Sequence, residues 1–377
     1  MKIGLNLIHA NIGVGGVWEY IKGIMFALGE HSQHHTYVCY CSVESECLVP
    51  QRANFIKKNI SFYGSNRIKR ILYENTILAI RAYTDNINCM HWFANTIGFL
   101  CPVPSVVTIY DMLSFDRPES LSVLRRLYLK MMLPRTARSA AVIAPMSRST
   151  SDSIARLLKV DLSRMVVIPP IVNDEFRPKP KNQTENFRKK YGLPSKFWLY
   201  VAHFYPHKNH SRLFKAYAQA KKNGSTKWPL VLRGEKNNAD EMILRLLQDA
   251  RIQEDVIWLP RLSDGEMPLL YSSASALIFP STYEGGGIPV MEAMACGCPV
   301  VVSNIPTNIE FAGDSAFFFD PLRVESIVEA MANFCLNSEI RDRHIRVGLQ
   351  KVESLRPRHV LQLLEKAYRR VCDLEDS

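Results

Sequence analysis

Short apolar, β-rich runs alternate with helical stretches along almost the whole chain, and the alternation occurs twice. In the first half strands are expected near Lys2–Ile8, Thr36–Cys41, Asn88–Trp92, Ser105–Ile109, Ala141–Ala144 and Met165–Ile168. In the second they are expected near Trp198–Ala202, Leu230–Arg233, Val256–Trp258, Ala276–Phe279, Val300–Ser303 and Ala316–Phe319. Several of these runs are apolar on both faces, as parallel strands covered by helices on each side must be. Strand and helix alternating in this way predict an α/β fold with doubly wound parallel sheets, one per half. Between the halves, Phe176-Arg177-Pro178-Lys179-Pro180-Lys181 suits neither helix nor strand and reads as a linker. The domains are therefore expected at 1–172 and 173–356, with three helical stretches closing the chain: Ser326–Asn337, Glu339–Leu355 and Pro357–Asp373. Doubly wound sheets bind ligands at the carboxyl ends of their strands, so two such sheets suggest a site in the cleft between them.

Composition narrows the class. With 377 residues, 47% of them hydrophobic, and a mean hydropathy of −0.08, the chain is neither disordered, collagenous nor a coiled coil. No apolar run approaches the roughly 20 residues that span a bilayer. The N-terminus turns polar by Asn6 and reads as a first strand rather than a signal peptide, which predicts a cytoplasmic protein. The nine cysteines include the C-x-C pairs Cys39/Cys41 and Cys296/Cys298 but no C-x-x-C, so zinc and disulfides are not expected.

Charge is uneven. Residues 1–173 hold 19 Lys and Arg against 11 Asp and Glu. The densest basic stretch, Ser120–Arg138, has five Lys and Arg and no acid, and apolar residues recur in it at helical spacing from Leu121 to Met132. Arg67–Arg81 reads similarly. Such helices either bury the apolar side in the core or rest on anionic lipid. Nucleic acid is not expected, since no recognition module accompanies the charge.

The segment Phe279–Val300, FPSTYEGGGIPVMEAMACGCPV, carries the most chemistry. A strand ends at Phe279, three glycines form a loop, and Pro289 sits where a helix begins. A glycine loop opening a helix presents free N–H groups and the positive end of the helix dipole, a cradle for phosphate. Glu284 and Glu292 flank it, and carboxylates beside a phosphate suit the hydroxyls of a sugar or ribose. Taken alone, the E-x7-E spacing is equally that of a solvated loop glutamate and a dipole-supporting one.

The whole string resembles the signature of retaining GT-B glycosyltransferases of family 4, of the bacterial O-antigen mannosyltransferase kind. The continuation through Ser303-Asn304-Ile305-Pro306, Glu310 and Asp320-Pro321 is similar too, as are Pro206-His207-Lys208-Asn209, Gly15-Gly16 and Thr108-Ile109-Tyr110-Asp111. The resemblance implies two Rossmann-like domains, acceptor on the first and sugar nucleotide on the second, with the helix 357–377 returning to the first. It implies that Glu284 orients the donor sugar and that Lys208 neutralises the departing diphosphate. It also implies that the amides around Gly286, Gly287 and Ile288 hold the distal phosphate, that Glu292 takes the ribose, and that Gly15 and Gly16 let a helix N-terminus approach phosphate or acceptor. The base is expected beside Arg261 and Leu262. Where the family commonly has His-Asp, this chain has Tyr110-Asp111, leaving Asp111 as acceptor partner or helper base, or as a turn cap. Where relatives have Gly-Arg it has Ala202-His203, so His203 or Arg233 would share the diphosphate charge.

The spacing of His203, His207 and His210 invites a metal, but His203 ends a strand and no carboxylate completes the set; no D-x-D occurs, and no metal or cofactor is expected. The resemblance favours GDP-mannose over UDP-hexoses as donor. With the basic first domain, it suggests a polyprenyl-diphosphate-linked glycan acceptor at the anionic inner face of the plasma membrane. A non-catalytic glycan-binding or scaffold relative, and a sugar-nucleotide epimerase or phosphorylase of the same fold, are the alternatives.

Overall fold

The computed structural model describes residues 1–10, 15–234 and 240–373. Contacts divide the chain into unit 1, Met1–Asn173 with Leu355–Ser377, and unit 2, Asp174–Ser354.

Unit 1 runs β1 (Lys2–Asn6), α1 (Gly15–His31), β2 (Thr36–Cys41), β3 (Phe55–Asn59), α2 (Arg67–Asn75), α3 (Ile77–Thr84), β4 (Cys89–Trp92), β5 (Ser105–Ile109), α4 (Leu113–Asp116), α5 (Val123–Ser139), β6 (Val142–Pro145) and α6 (Arg148–Leu158). The six strands are all parallel, in the order β3-β2-β1-β4-β5-β6. The chain works outward from β1 to one edge, then returns to β4 and works to the other, so the order reverses between β1 and β4. β2, β4 and β5 are buried almost end to end, which is why each reads as a continuous apolar run.

Three elements of unit 1 differ from the sequence expectation. β3, with the sequence FIKKN, is an edge strand whose lysines face Glu46 and Asp85; its charges hide it in the sequence. The run Met165–Ile168 lies beside β6, with Val166 and Ile168 donating to the Ile143 and Pro145 carbonyls, yet amounts only to an isolated bridge before Pro169 and Pro170. α5 buries Met132, Leu133, Thr136 and Ala137 in its second half, whereas Leu124, Leu127 and Met131 of the expected apolar side are exposed.

Unit 2 repeats the plan with α7 (Lys181–Tyr191), β7 (Trp198–Val201), α8 (His210–Lys222), β8 (Leu230–Arg233), α9 (Asp240–Ala250), β9 (Val256–Trp258), α10 (Met267–Ser273), β10 (Ala276–Phe279), α11 (Ile288–Ala295), β11 (Val300–Ser303), α12 (Pro306–Ala312), β12 (Ala316–Phe319), α13 (Val324–Leu336) and α14 (Ser338–Val352). Its parallel sheet has the order β9-β8-β7-β10-β11-β12, the same winding as unit 1, with its reversal between β7 and β10.

The last helix, α15 (Pro357–Asp373), packs in unit 1 against α1 and the strands β4, β5 and β6. It enters through paired backbone at the unit boundary: Val172 N–H donates to the Leu355 carbonyl at 3.0 Å, and Arg356 Nη1 to the Asn173 carbonyl at 3.1 Å. Those bonds place Asn173, Leu355 and Arg356 with unit 1.

Candidate active site

The loops that follow β7 and β10 meet at the reversal point of unit 2, and they are tied together before any side chain of chemical interest is considered. Pro206 opens a single 3-10 turn, Pro206–Lys208, which ends at Asn209 in the left-handed conformation (φ 63°), a backbone that asparagine tolerates better than most residues. The Asn209 amide donates to the Pro280 carbonyl at 3.0 Å and the Pro321 carbonyl at 2.7 Å. The Thr282 N–H donates to the His207 carbonyl at 2.8 Å, and the buried Tyr200 hydroxyl to the Lys208 carbonyl at 2.5 Å.

This scaffold brings Lys208 and Glu284 together. Lys208 Nζ lies 2.5 Å from Glu284 Oε1 and 5.4 Å from the centre of the Phe279 ring, and the two side chains are only 16% and 9% exposed. The neighbouring histidines do not share the positive charge. Burial, reinforced by the Lys208 ammonium, pulls His207 down to about 4 and His210 to about 3, so both are neutral at pH 7. His210 is stacked under Phe204, and His207 against Tyr205. Among the described residues no group of His, Cys, Asp and Glu is arranged to hold a metal ion.

Glu284 leads directly into the glycine loop. Gly286 and Gly287 are buried, and Gly287 adopts φ 59° as the residue from which α11 springs; Pro289 has no N–H and the Val290 and Met291 N–H groups donate to the Gly287 carbonyl, so the amides that can face an anion here are those of Gly286, Gly287 and Ile288. Ile288 is the first helical residue and Pro289 the second, so Glu292 is the fifth, one residue further in than a helix beginning at Pro289 would place it. Its Oε2 accepts from the Tyr271 hydroxyl at 2.8 Å. The loop is held from below by Thr307 and Asn308, which sequence reading did not single out, and by Ser303. Thr307 Oγ1 donates to the Glu284 carbonyl at 2.7 Å, and the Asn308 amide donates to the Ser303 carbonyl and hydroxyl at 3.1 and 3.0 Å. Ser303 Oγ in turn donates to the Ser281 carbonyl at 2.6 Å. The only local signal was Pro306, which starts α12 and so aims its first turn at the loop.

His203 and Arg233 sit half-buried at the carboxyl ends of β7 and β8, whose backbones remain paired through the Ala202 N–H and the Arg233 carbonyl at 2.9 Å. A Cβ on Gly234 would collide with the Ala202 carbonyl, so glycine is needed where these two loops cross. Beyond β9, Arg261 is exposed while the Leu262 side chain is buried.

The remaining predicted residues lie in unit 1. Gly15, at φ 68°, and Gly16 begin α1. Asp111, just beyond β5, accepts the Leu113 N–H at 2.9 Å and caps the turn into α4. Tyr110 is buried: its hydroxyl donates to the Phe93 carbonyl at 3.0 Å and its ring stands edge-on to Tyr20. It therefore fills core and presents no titrating group in place of a histidine.

Two parallel six-stranded sheets of identical winding, with a terminal helix returning to the first unit, define a GT-B fold. Sucrose-phosphate synthase from Thermosynechococcus elongatus shares it over 99% of this chain and 100% of its own, with a TM-score of 0.79 at 16% identity. Residues 183–350, which lie within unit 2 and contain the Lys208–Glu284 pair and the glycine loop, match the glycosyl transferases group 1 model. It is 30% identical over 224 residues to O-antigen chain mannosyltransferase B of Escherichia coli, covering 59% of each chain. It is 28% identical over 337 residues to O-antigen chain mannosyltransferase RfbU of Salmonella typhimurium, covering 87% of this chain and 90% of that one.

Proposed function

We propose that the protein is a retaining, metal-independent mannosyltransferase that moves mannose from GDP-mannose to a hydroxyl of a growing, polyprenyl-diphosphate-linked surface glycan, working in the cytoplasm against an anionic membrane face. The observation that carries this reading is the Lys208–Glu284 pair beside the Gly287–α11 cradle, where a cation, a carboxylate and a set of free amides converge within one unit. The two O-antigen mannosyltransferases named above support the choice of sugar and of acceptor.

In this reading the donor diphosphate lies against the amides of Gly286, Gly287 and Ile288 and draws the Lys208 ammonium toward it, while Glu284 accepts hydrogen bonds from the mannosyl hydroxyls. As the bond between the anomeric carbon and the distal phosphate oxygen breaks, the sugar acquires oxocarbenium character and the phosphate acquires negative charge. Lys208 and the amides meet that charge where it develops. The acceptor oxygen attacks from the face the phosphate leaves, and its proton passes to the departing phosphate oxygen, so retention needs no base from the protein. Glu292, held by Tyr271, takes the ribose hydroxyls. His203 and Arg233 border the diphosphate and Arg261 and Leu262 the base, while in unit 1 Gly15 and Gly16 serve the phosphate or the acceptor and Asp111 the acceptor hydroxyl.

The buried Tyr110 favours one other reading, a glycan-binding relative without turnover. Thermal unfolding with GDP-mannose, GDP, UDP-glucose and UDP-galactose separates the two. GDP-mannose raises the melting temperature most, and Glu284→Ala loses the increment that GDP-mannose has over GDP. Stabilisation by a UDP-sugar alone overturns the donor assignment, and no stabilisation by any of the four overturns the transferase reading.

A further inference from the structure

Lys208 and Glu284 partner each other, and unit 2 supplies no substitute for the ammonium. Among the described residues the Glu284 carboxylate has one hydrogen-bond partner, Lys208 Nζ at 2.5 Å, and its side chain is only 9% exposed. The hydroxyls around the pair are committed to backbone. Tyr200 donates to the Lys208 carbonyl at 2.5 Å, Thr307 to the Glu284 carbonyl at 2.7 Å and Thr282 to the His207 carbonyl at 3.2 Å. His207 and His210 are neutral at pH 7 and bring no charge. The backbone on both sides is clamped, Asn209 to Pro280 and Pro321, and Thr282 to His207. The pair therefore parts by side-chain rotation while the two loops stay in place.

A buried ion pair contributes little to stability as a pair, but stranding one member of it is costly. A diphosphate against the amides of Gly286, Gly287 and Ile288 draws Lys208 away and strands Glu284. A sugar on the distal phosphate offsets that cost, because its hydroxyls donate to the carboxylate. A bare nucleoside diphosphate brings no such donor. Two ligands that share every base and phosphate contact therefore differ at this one carboxylate, and specificity is that difference.

We infer that Lys208 and Glu284 form a product-rejecting switch. The site holds a nucleoside diphosphate firmly only while a sugar is attached to it, and the pair, re-forming after transfer, expels the free nucleotide. The ligands rejected are the free nucleoside diphosphates, including the leaving group of the reaction itself. This deepens the proposed function and rests on it for where the diphosphate and sugar lie, but not for which base or which sugar is bound.

The test is calorimetric titration of the full chain with GDP-mannose and GDP and, in parallel, with UDP-glucose and UDP. The wild type binds the sugar nucleotide about tenfold or more tightly than the matching diphosphate, and equal affinities overturn the switch. Glu284→Gln keeps the size of the side chain and removes its charge. It binds the bare diphosphate about tenfold or more tightly than the wild type does. A carboxylate that only holds sugar would leave the affinity for GDP unchanged, so an unchanged value overturns the switch; Glu284→Ala gives the same readout if the glutamine variant does not fold. Direct repulsion between Glu284 and phosphate would also tighten binding, and the Lys208→Met background separates the two causes. There, adding Glu284→Gln tightens GDP binding about fivefold less than it does with Lys208 present, and equal tightening in both backgrounds overturns the switch. The same pattern with UDP-glucose and UDP in place of the guanine pair supports the switch and overturns the donor assignment. Binding of none of the four ligands overturns the transferase reading and the switch together.

Discussion

Lys208 is the cation paired with Glu284 at the reversal point of unit 2, and the two histidines next to it are held neutral at pH 7. The Lys208 ammonium itself contributes to that: it lowers both imidazoles, so neither His207 nor His210 adds positive charge beside the Lys208–Glu284 pair. Lys208→Met should therefore lower turnover by about 10²–10³, the range seen when one donor to developing transition-state charge is removed. Lowering the pH should not rescue it. His207 gains its proton only near 4, and although removing the ammonium relaxes that value upward, burial remains the larger cause. A rate–pH profile of the variant that stays flat between pH 6 and 8 fits this account; a recovery centred near pH 6.5 would mean that a histidine takes over the charge. Lys208 and Glu284 were legible in the sequence because each stands in a distinctive string, Pro206-His207-Lys208-Asn209 and Glu284-Gly285-Gly286-Gly287. Thr307 and Asn308 were not, since a polar residue that hydrogen-bonds a loop from below looks like any residue in the first turn of a helix until the loop is in place.

At the scale of the element, the glycine loop and α11 act as one piece. Gly287 is left-handed, and the amides it exposes are the reason the loop can face an anion. A Cβ there would meet Asn308 Oδ1 at 3.5 Å, an ordinary contact, so the penalty for Gly287→Ala is conformational: about 1–2 kcal/mol for placing an L side chain at that φ. Urea unfolding should show that loss in the midpoint, together with weaker stabilisation by sugar nucleotide. An unchanged midpoint would mean the loop flips to a right-handed turn without cost. The strands around this piece were readable to within a residue or two because parallel strands buried on both faces must be apolar throughout. β3 escaped for the complementary reason: at an edge, Lys57 and Lys58 can pair outward with Glu46 and Asp85, so nothing in its composition marks a strand. The expected single helix over Arg67–Arg81 is two helices, broken where Thr76 leaves helical geometry (φ −133°, ψ −79°) with its hydroxyl bonded to the Leu72 carbonyl. That bond is a local alternative to the helix which threonine always carries but only tertiary packing selects.

For the whole molecule, the winding of each sheet was legible and the way the chain closes on itself was implied only by resemblance. The contact that fixes the closure is polar. His91 on β4 is fully buried, with its Nδ1 2.9 Å from the Tyr368 hydroxyl on α15 and its Nε2 2.9 Å from Thr108 Oγ1 on β5. A neutral imidazole has one donor and one acceptor nitrogen, so it is satisfied at both ends by two hydroxyls that can each play either part. Burial pulls its pKa down to about 3, which keeps the ring neutral across the physiological range. The sign of the linkage follows. The unfolded chain takes up a proton near 6.5 that the folded chain refuses until about 3, so this stabilisation is full above pH 6.5 and is lost as the pH falls between those values. The slope is about 1.4 kcal/mol per pH unit. Tyr368→Phe leaves His91 Nδ1 buried without its partner and should cost unit 1 about 1–3 kcal/mol at pH 7.5, read as an earlier unfolding transition. Because the variant still buries a neutral His91, its acid slope should match the wild type's, whereas His91→Gln should flatten it. If Tyr368→Phe unfolds with an unchanged midpoint, the returning helix is held by its apolar side alone and the hydroxyl chain is incidental.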